Sequence, residues 1–144
     1  MMIKAVERKM IILIDGYNLL KLIHDHRDIH EDEISSVVRI LGHYQTKRNH
    51  RITMVFDGGY DTYQTSTEQY GVLIIHAGRV KNADDVLVAL VQQKQTNTLV
   101  VTADRELIQR LKVYHVDAIH PLVFFKKVRN LLLSEMKSIK QART

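Results

Sequence analysis

Short apolar runs that end near an aspartate constrain the fold of this chain more than any other sequence feature. The three pairs of run and aspartate are Met10–Ile14 with Asp15, Arg51–Phe56 with Asp57, and Thr98–Thr102 with Asp104. Each run has the length of one strand, and Met10–Ile14 shows no alternation of polar and apolar residues. An unbroken run of this kind is typical of a central strand in a parallel sheet, which helices cover on both faces.

The segments between these runs carry helical patterns and further strand patterns. Apolar residues at helical spacing predict an amphipathic helix over Asp32–Thr46. The other predicted elements are strands at Val72–His76 and Val113–Ile119, and helices at Asp85–Gln93, at Arg105–Lys112 and from Pro121 onward. Strands that alternate with helices indicate α/β architecture with a mostly parallel central sheet. At 144 residues the chain has the size of one such domain, spanning residues 1–144.

The net charge of +5 lies entirely in the C-terminal segment. From Pro121 onward there are six cations and one acid, whereas residues 1–120 hold fifteen of each. The predicted last helix has an apolar face formed by Phe125, Val128, Leu132, Met136 and Ile139. The cations outside this face include Lys126, Lys127 and Arg129. This basic excess favours a polyanionic partner, and a solubilising tail is the open alternative.

Several classes of protein are excluded by composition. The chain contains no cysteine, which rules out disulfides, thiolate zinc sites and a cysteine nucleophile. The first apolar run ends at Asp15, too early for a signal peptide, and no other run is long enough to cross a bilayer. We therefore expect a soluble protein in the cytoplasm.

The aspartates are expected to meet at one edge of the predicted sheet, because ligands of open α/β sheets bind beyond the carboxyl ends of the strands. Taken singly, Asp84 and Asp104 fit helix N-caps, and Asp57 fits a turn. Asn18 should lie in the first turn of the next helix and face Asp15. Several carboxylates together repel one another, and a hard divalent cation such as Mg²⁺ relieves that repulsion. The pattern therefore predicts metal-dependent hydrolysis of phosphodiester bonds.

Four stretches, in this order and spacing, resemble the YacP-like NYN domains of the PIN-like nuclease superfamily. They are Ile11–Leu20 (IILIDGYNLL), Met54–Gly59 (MVFDGG), Ala83-Asp84 and Val100–Leu107 (VVTADREL). The resemblance extends from about Lys9 to the helix after Pro121. It implies a Rossmann-like, PIN-like fold, dependence on Mg²⁺ or Mn²⁺, and endonucleolytic cleavage of RNA.

The resemblance also assigns roles by position. It implies a catalytic set of Asp15, Asp57, Asp84, Asp104 and Asn18. It implies metal ligation by Asp15, Asp84, Asp104 and Asp85. Many relatives have a glutamate shortly before the Ala-Asp pair, where this chain has Arg79 and Lys81, so a fifth acidic ligand is not expected there. The residues predicted to contact RNA are Arg79, Lys81, Thr102, Lys126, Lys127 and Arg129.

Two polar segments receive less specific predictions. His24–Glu33 is dense in potential metal ligands but has no recognised ligand spacing, so it is predicted to be a solvated loop. Gly58–Gly71 is also a predicted loop. Its tyrosines, Tyr60, Tyr63 and Tyr70, either stack on unpaired bases or simply pack within the loop.

The predicted function is that of a Mg²⁺- or Mn²⁺-dependent endoribonuclease whose partner is RNA, with structured or ribosome-associated RNA left open. The alternatives are a DNA-directed nuclease and a non-catalytic RNA-binding module of the same fold. A phosphoacceptor domain is disfavoured, because Asp15 stands alone and Val113–Pro121 contains no lysine. A dehalogenase-like phosphatase is disfavoured because position 17 is a tyrosine.

Overall fold

A six-stranded sheet lies between two layers of helices in the computed structural model, which describes residues 9–25, 28–93 and 97–142. The strands are β1 (Ile11–Asp15), β2 (Arg51–Phe56), β3 (Thr65–Gln69), β4 (Val72–His76), β5 (Thr98–Val101) and β6 (Asp117–Ile119). The helices are α1 (Gly16–His24), α2 (Glu31–Arg48), α3 (Ala83–Gln93), α4 (Arg105–Leu111) and α5 (Pro121–Ala142). A 3₁₀ turn covers Lys112–Tyr114. Within these described residues, no helix is both long and apolar enough to cross a bilayer.

The strand order is β3-β4-β2-β1-β5-β6, and every pair is parallel except β3 with β4. The chain builds outward from β1 in one direction through β2 and β4, and in the other through β5 and β6. The strand order therefore reverses at β1, which is where α/β sheets usually bind ligands. The predicted α/β fold with a mostly parallel sheet is confirmed.

The four inner strands β1, β2, β4 and β5 are mostly apolar because helices cover both faces of the sheet there. Ile12 and Ile14 of β1 pack into the core beneath α1, α2 and α5. Leu13, between them, packs into the second core beneath α3 and α4. Successive side chains of a strand point to opposite faces, so a strand with two buried faces loses the polar alternation of a half-exposed one.

The predicted loop Gly58–Gly71 is wrong in its second half, which forms the edge strand β3. Its sequence, TSTEQ, is polar because the strand is exposed on almost every residue. It therefore carries no hydrophobic signal. The turn into β4 places both Tyr70 (φ 51°) and Gly71 (φ 81°) in the left-handed region. That conformation suits the tight turn of an antiparallel hairpin.

The predicted loop His24–Glu33 is wrong at both ends. His24 is the last residue of α1, and Glu31–Glu33 form the first turn of α2. His24 Nδ1 lies 3.2 Å from Glu33 Oε2, which links the two helices. Residues 26–27 lie outside the described residues.

The end of α5 departs from the predicted apolar face. Phe125 and Val128 are buried and Leu132 packs against the core, but Met136 is 65% exposed and Ile139 is 54% exposed. A helix of 22 residues spans roughly 33 Å, whereas the five-residue strands span roughly 17 Å. The last turns of α5 therefore extend past the sheet that its first turns cover.

Candidate active site

An open cleft of about 290 Å³ lies at the carboxyl ends of the central strands. It is lined by Asp15, Tyr17, Asn18, Lys21, Asp57, Asn82, Asp84 and Asp104. Four of the five predicted aspartates therefore reach one cleft, from the ends of β1, β2 and β5 and from the start of α3. A larger cleft, of about 680 Å³, opens at the opposite edge of the sheet, and Glu68 is the one acid among its described lining residues.

Asp15 is held in place by the neighbouring strand. Ile14 pairs with Val101, so Thr102 lies level with Asp15 just beyond β5. The Thr102 hydroxyl donates to Asp15 Oδ2 at 3.1 Å and accepts from the Asp104 backbone N–H at 3.1 Å. Thr102 is 1% exposed. It was a predicted RNA contact, but this burial gives it the position of a residue that orients Asp15.

Asn18 connects the two sides of the cleft. It lies in the first turn of α1, as predicted, and its Oδ1 accepts from the Ala103 N–H at 2.8 Å. Ala103 lies between Thr102 and Asp104, so this bond fixes α1 to the segment that presents both residues. Asn18 therefore supports the arrangement of Asp15 and Asp104.

Asp57 and Asp104 each bind the N-terminus of a helix. Asp57 Oδ1 accepts from the Ala83 N–H at 2.6 Å, at the start of α3. Asp104 is the N-cap of α4, and its Oδ1 accepts from Glu106 and Leu107 at 2.9 and 3.3 Å. These bonds fix both carboxylates at the cleft with part of their oxygen lone pairs already used.

Asp84 and Asp85 face different surroundings. Asp84 is not a helix N-cap, the alternative left open for it when taken singly, because it is the second residue of α3 and the Asn82 side chain accepts from the Asp85 N–H at 2.8 Å. Asp84 lines the cleft. Asp85, a predicted metal ligand, is outside the lining and pairs with Arg110 of α4 at 3.2 Å.

Two aspartates of the cleft have raised pKa values, chiefly because they are buried and also because other carboxylates lie nearby. Burial raises the pKa of Asp15 to about 6, with further upward contributions from Asp84, Asp57 and Asp104. The Thr102 hydrogen bond opposes that rise. Burial also raises the pKa of Asp84, aided by Asp104 and Asp57, and Arg110 opposes the rise. Both shifts mean that burial and repulsion oppose simultaneous ionisation of the carboxylates.

Position 16, directly after Asp15, has no room for a side chain and therefore requires glycine. A Cβ built on Gly16 would lie 2.5 Å from Cε1 of Phe56. Phe56 cannot easily move, since it is buried between the edge of Tyr17, at 4.9 Å between ring centroids, and the stacked ring of His76, at 5.6 Å. The Asp-Gly sequence thus lets α1 begin against the core immediately after β1.

The cations predicted to contact RNA occupy two surfaces. Arg79 and Lys81 are exposed in the turn between β4 and α3, beside Asn82 and Asp84. Lys126 and Arg129 line a separate cleft between α1 and α5, and Lys127 is exposed on the same helix. Lys21 was missed by the sequence analysis, although it follows Asn18 by one helical turn. Of the cations whose positions the structure describes, Lys21 alone lines the acidic cleft.

The capacity of the acidic cleft to hold a metal ion depends on its geometry and on its donor atoms. Among the described residues, no three Asp, Glu or His side chains stand together in a metal-ligating arrangement. The donor types nevertheless fit a hard divalent cation, because the acidic cleft offers carboxylate and amide oxygens and no sulfur or imidazole.

The raised pKa of Asp15 predicts how stability depends on pH. Below about pH 4, Asp15 is protonated in both the folded and the unfolded chain. Between about pH 4 and the folded pKa of about 6, the unfolded chain ionises first, so stability falls as pH rises. Asp15→Asn removes this cost. Without metal, the variant should gain on the order of 3 kcal/mol over the parent at pH 7 and less than about 1 kcal/mol at pH 4.

Urea unfolding of both proteins in EDTA across this range measures the difference. A gain that does not change with pH would contradict the assignment, because it would arise from packing rather than from the charge of Asp15.

Comparison with known proteins identifies the family. The chain matches the model of the YacP-like NYN domain over residues 12–143. It belongs to the YacP-like NYN domain family. The predicted family membership is therefore confirmed. This family is one of the PIN-like nucleases.

Solved structures share the fold of this YacP-like NYN domain. Rae1 (YacP) from Bacillus subtilis, as a tryptophan-to-leucine mutant, matches it with a TM-score of 0.78 at 18% identity, covering 92% of this chain and 82% of that chain. A second Rae1 (YacP) structure from Bacillus subtilis gives a TM-score of 0.72 at 17% identity, with coverage of 91% and 80%. No curated protein sequence matches the chain.

Proposed function

We propose that this YacP-like NYN domain is an endoribonuclease that depends on Mg²⁺ or Mn²⁺ and acts on cytoplasmic RNA. The observation that carries the proposal is the convergence of Asp15, Asp57, Asp84 and Asp104 on one cleft. A structural role alone explains Asp57 and Asp104, which bind helix N-termini. It does not explain Asp15, whose burial raises its pKa and whose orientation depends on Thr102.

The residues of the cleft would have two kinds of role, metal binding and the positioning of the metal ligands. Asp15, Asp84 and Asp104 would hold the metal, with Asp57 beside them. Bound there, Mg²⁺ or Mn²⁺ would supply a hydroxide nucleophile at neutral pH and offset the charge of the scissile phosphate. Asn18 and Thr102 maintain the positions of Asp15 and Asp104 through hydrogen bonds. Asp85 is a weaker candidate ligand, because its carboxylate is paired with Arg110.

Lys21 brings a positive charge to the cleft that the aspartates line. Its side chain is exposed at the cleft, with Nζ 5.8 Å from the centroid of the Tyr17 ring. We assign it to contact a substrate phosphate near the acidic site. The basic residues of α5, namely Lys126, Lys127 and Arg129, would bind the RNA backbone farther along.

Two other functions compete with this proposal. A DNA-directed nuclease would use the same aspartates, since the same hydrolysis applies to both backbones. A non-catalytic RNA-binding module would use the basic surfaces alone. The second is disfavoured because four carboxylates at the cleft repel phosphate, which is a cost without benefit unless a cation binds there.

Metal binding is expected to stabilise the folded protein. Because only the folded chain brings the aspartates together, Mg²⁺ or Mn²⁺ at ten times its dissociation constant should add about 1.4 kcal/mol to the free energy of unfolding. The gain should be larger at pH 7.5 than at pH 5.5, since Asp15 must ionise to bind the cation.

Thermal melts of the parent, of Asp15→Asn and of Asp117→Asn provide the measurement. Asp117 is an exposed aspartate on β6 and serves as the matched control. Asp15→Asn should lose the gain and Asp117→Asn should keep it. Equal gains in all three proteins would place the cation elsewhere and contradict the proposed site.

A further inference from the structure

Two segments beside the acidic cleft are bound together as a pair. They are the loop after β2 (residues 58–64) and the turn after β4 (residues 77–82), and together we call them the loop pair. The Gly78 N–H donates to Gly58 O at 2.8 Å, and the Arg79 and Val80 N–H groups donate to Thr62 O at 3.0 and 3.2 Å. Arg79 Nη2 also donates to Thr62 Oγ1 at 3.0 Å. These bonds give an exposed loop a defined conformation.

Gly78 brings the two segments into close contact. A Cβ at this position would lie 2.7 Å from the carbonyl carbon of Tyr63, and Gly78 has a φ of 82°. Both facts require glycine here. The backbone that carries Tyr63 is therefore packed directly on the turn that carries Arg79 and Lys81.

The loop pair presents two aromatic rings to solvent. Tyr60 is fully exposed and Tyr63 is 74% exposed. Packing within the loop was the alternative explanation for these tyrosines, and their exposure argues against it. Exposed rings on a fixed backbone offer stacking surfaces, and stacking on aromatic side chains is how proteins commonly hold unpaired bases.

The charges around the rings suit a nucleic-acid backbone. Arg79 and Lys81 are exposed on the adjoining turn, and Asp61 is the one acid between the two tyrosines. Within the loop pair the two cations outnumber the acid, so Arg79 and Lys81 can contact phosphates while the rings accept bases. The loop pair is also continuous with the cleft, because it begins after Asp57 and ends just before Asp84.

We propose that the loop pair is a binding site for unpaired RNA nucleotides, with bases stacked on Tyr60 and Tyr63 and phosphates at Arg79 and Lys81. The inference rests on the proposed nuclease function, and it adds that the substrate is single-stranded where it enters the cleft. In a duplex the bases stack on one another and their faces are not available to the tyrosines.

A tryptophan reporter tests stacking directly, because the chain contains no tryptophan. Tyr63→Trp and Tyr60→Trp each place a single fluorophore in the loop pair. Tyr70→Trp is the matched control, since Tyr70 is 59% exposed in the β3–β4 turn, at the other end of β3. The probe is a 12-nucleotide RNA of mixed sequence in EDTA, single-stranded or annealed to its complement.

The single strand should quench fluorescence in Tyr60→Trp and Tyr63→Trp, and the duplex should quench it much less. Tyr70→Trp should not respond to either RNA. Equal responses to single strand and duplex, or a response of Tyr70→Trp equal to the others, would overturn the proposal.

Affinity for the same single strand gives the second readout. Tyr60→Ala and Tyr63→Ala should each weaken binding by about tenfold, since a stacked base contributes roughly 1–3 kcal/mol. Tyr60→Phe and Tyr63→Phe should bind like the parent because they keep the ring, and Tyr70→Ala should bind like the parent as a control. Parental affinity in both alanine variants would overturn the stacking site.

Because these measurements need no cleavage, they fail independently of the nuclease proposal. Cleavage of RNA together with parental affinity in the alanine variants would reject only the stacking site. Tyrosine-dependent binding without cleavage would reject only the enzymatic function.

Discussion

Asp15→Asn and Asp104→Asn should each slow RNA cleavage on the order of a thousandfold while the fold stays intact. Each substitution removes one negative charge from the proposed metal site, and a bound metal ion contributes several kcal/mol to catalysis of this kind. Asparagine retains the volume of aspartate and one carbonyl oxygen. It can accept from Thr102 at position 15, and it can cap α4 at position 104. The expected loss is therefore one of charge and not of structure.

The measurement is the single-turnover rate at saturating RNA, with Asp117→Asn as a control that should cleave at the parental rate. RNA affinity of the two site variants should hold or improve, because less negative charge repels the phosphates. If Asp15→Asn and Asp104→Asn both cleave like the parent, the aspartates are only caps and turn residues, and the nuclease proposal is wrong.

Neutralising Lys126, Lys127 and Arg129 together should have the opposite effect. Binding should weaken and its dependence on salt should flatten by about two in log–log slope, since up to three fewer counterions are released from single-stranded RNA. Cleavage at saturating RNA should persist, because these residues lie outside the acidic cleft. This contrast separates turnover from affinity in one set of variants.

The sequence predicted the centre of the fold better than its margins. β1, β2, β4 and β5 are apolar because they are buried, so their positions could be predicted from hydrophobicity alone. The edge strand β3 is polar, and among the described residues its strand pairing is with β4 alone, so no local pattern revealed it. The predicted apolar face at the end of α5 was wrong for a related reason. Met136 and Ile139 follow helical spacing, but they lie beyond the core that residues at such spacing normally face.

The candidate site was predictable where strand ends determined it. Asp15, Asp57 and Asp104 follow strands, and parallel register brings them to one edge. Lys21 reaches the same cleft from the second turn of α1, where one cation among several in the sequence gave no signal. The pairing of Asp85 with Arg110 could not be foreseen either, because it depends on how α3 packs against α4.

One assay with matched substrates tests metal-dependent cleavage of RNA directly. The substrates are a single-stranded RNA and a DNA of identical sequence, together with a circular form of the RNA that has no ends. Each is incubated with the parent or with Asp15→Asn in Mg²⁺, Mn²⁺ or EDTA. We expect the parent to cut linear and circular RNA with either metal, to leave the DNA largely intact, and to cut nothing in EDTA. Cutting of the circle identifies internal cleavage, and the absence of cutting by Asp15→Asn excludes a contaminating nuclease. RNA cleavage that persists in EDTA, or that is equal in Asp15→Asn and the parent, would show that the acidic cleft is not a metal-dependent nuclease site.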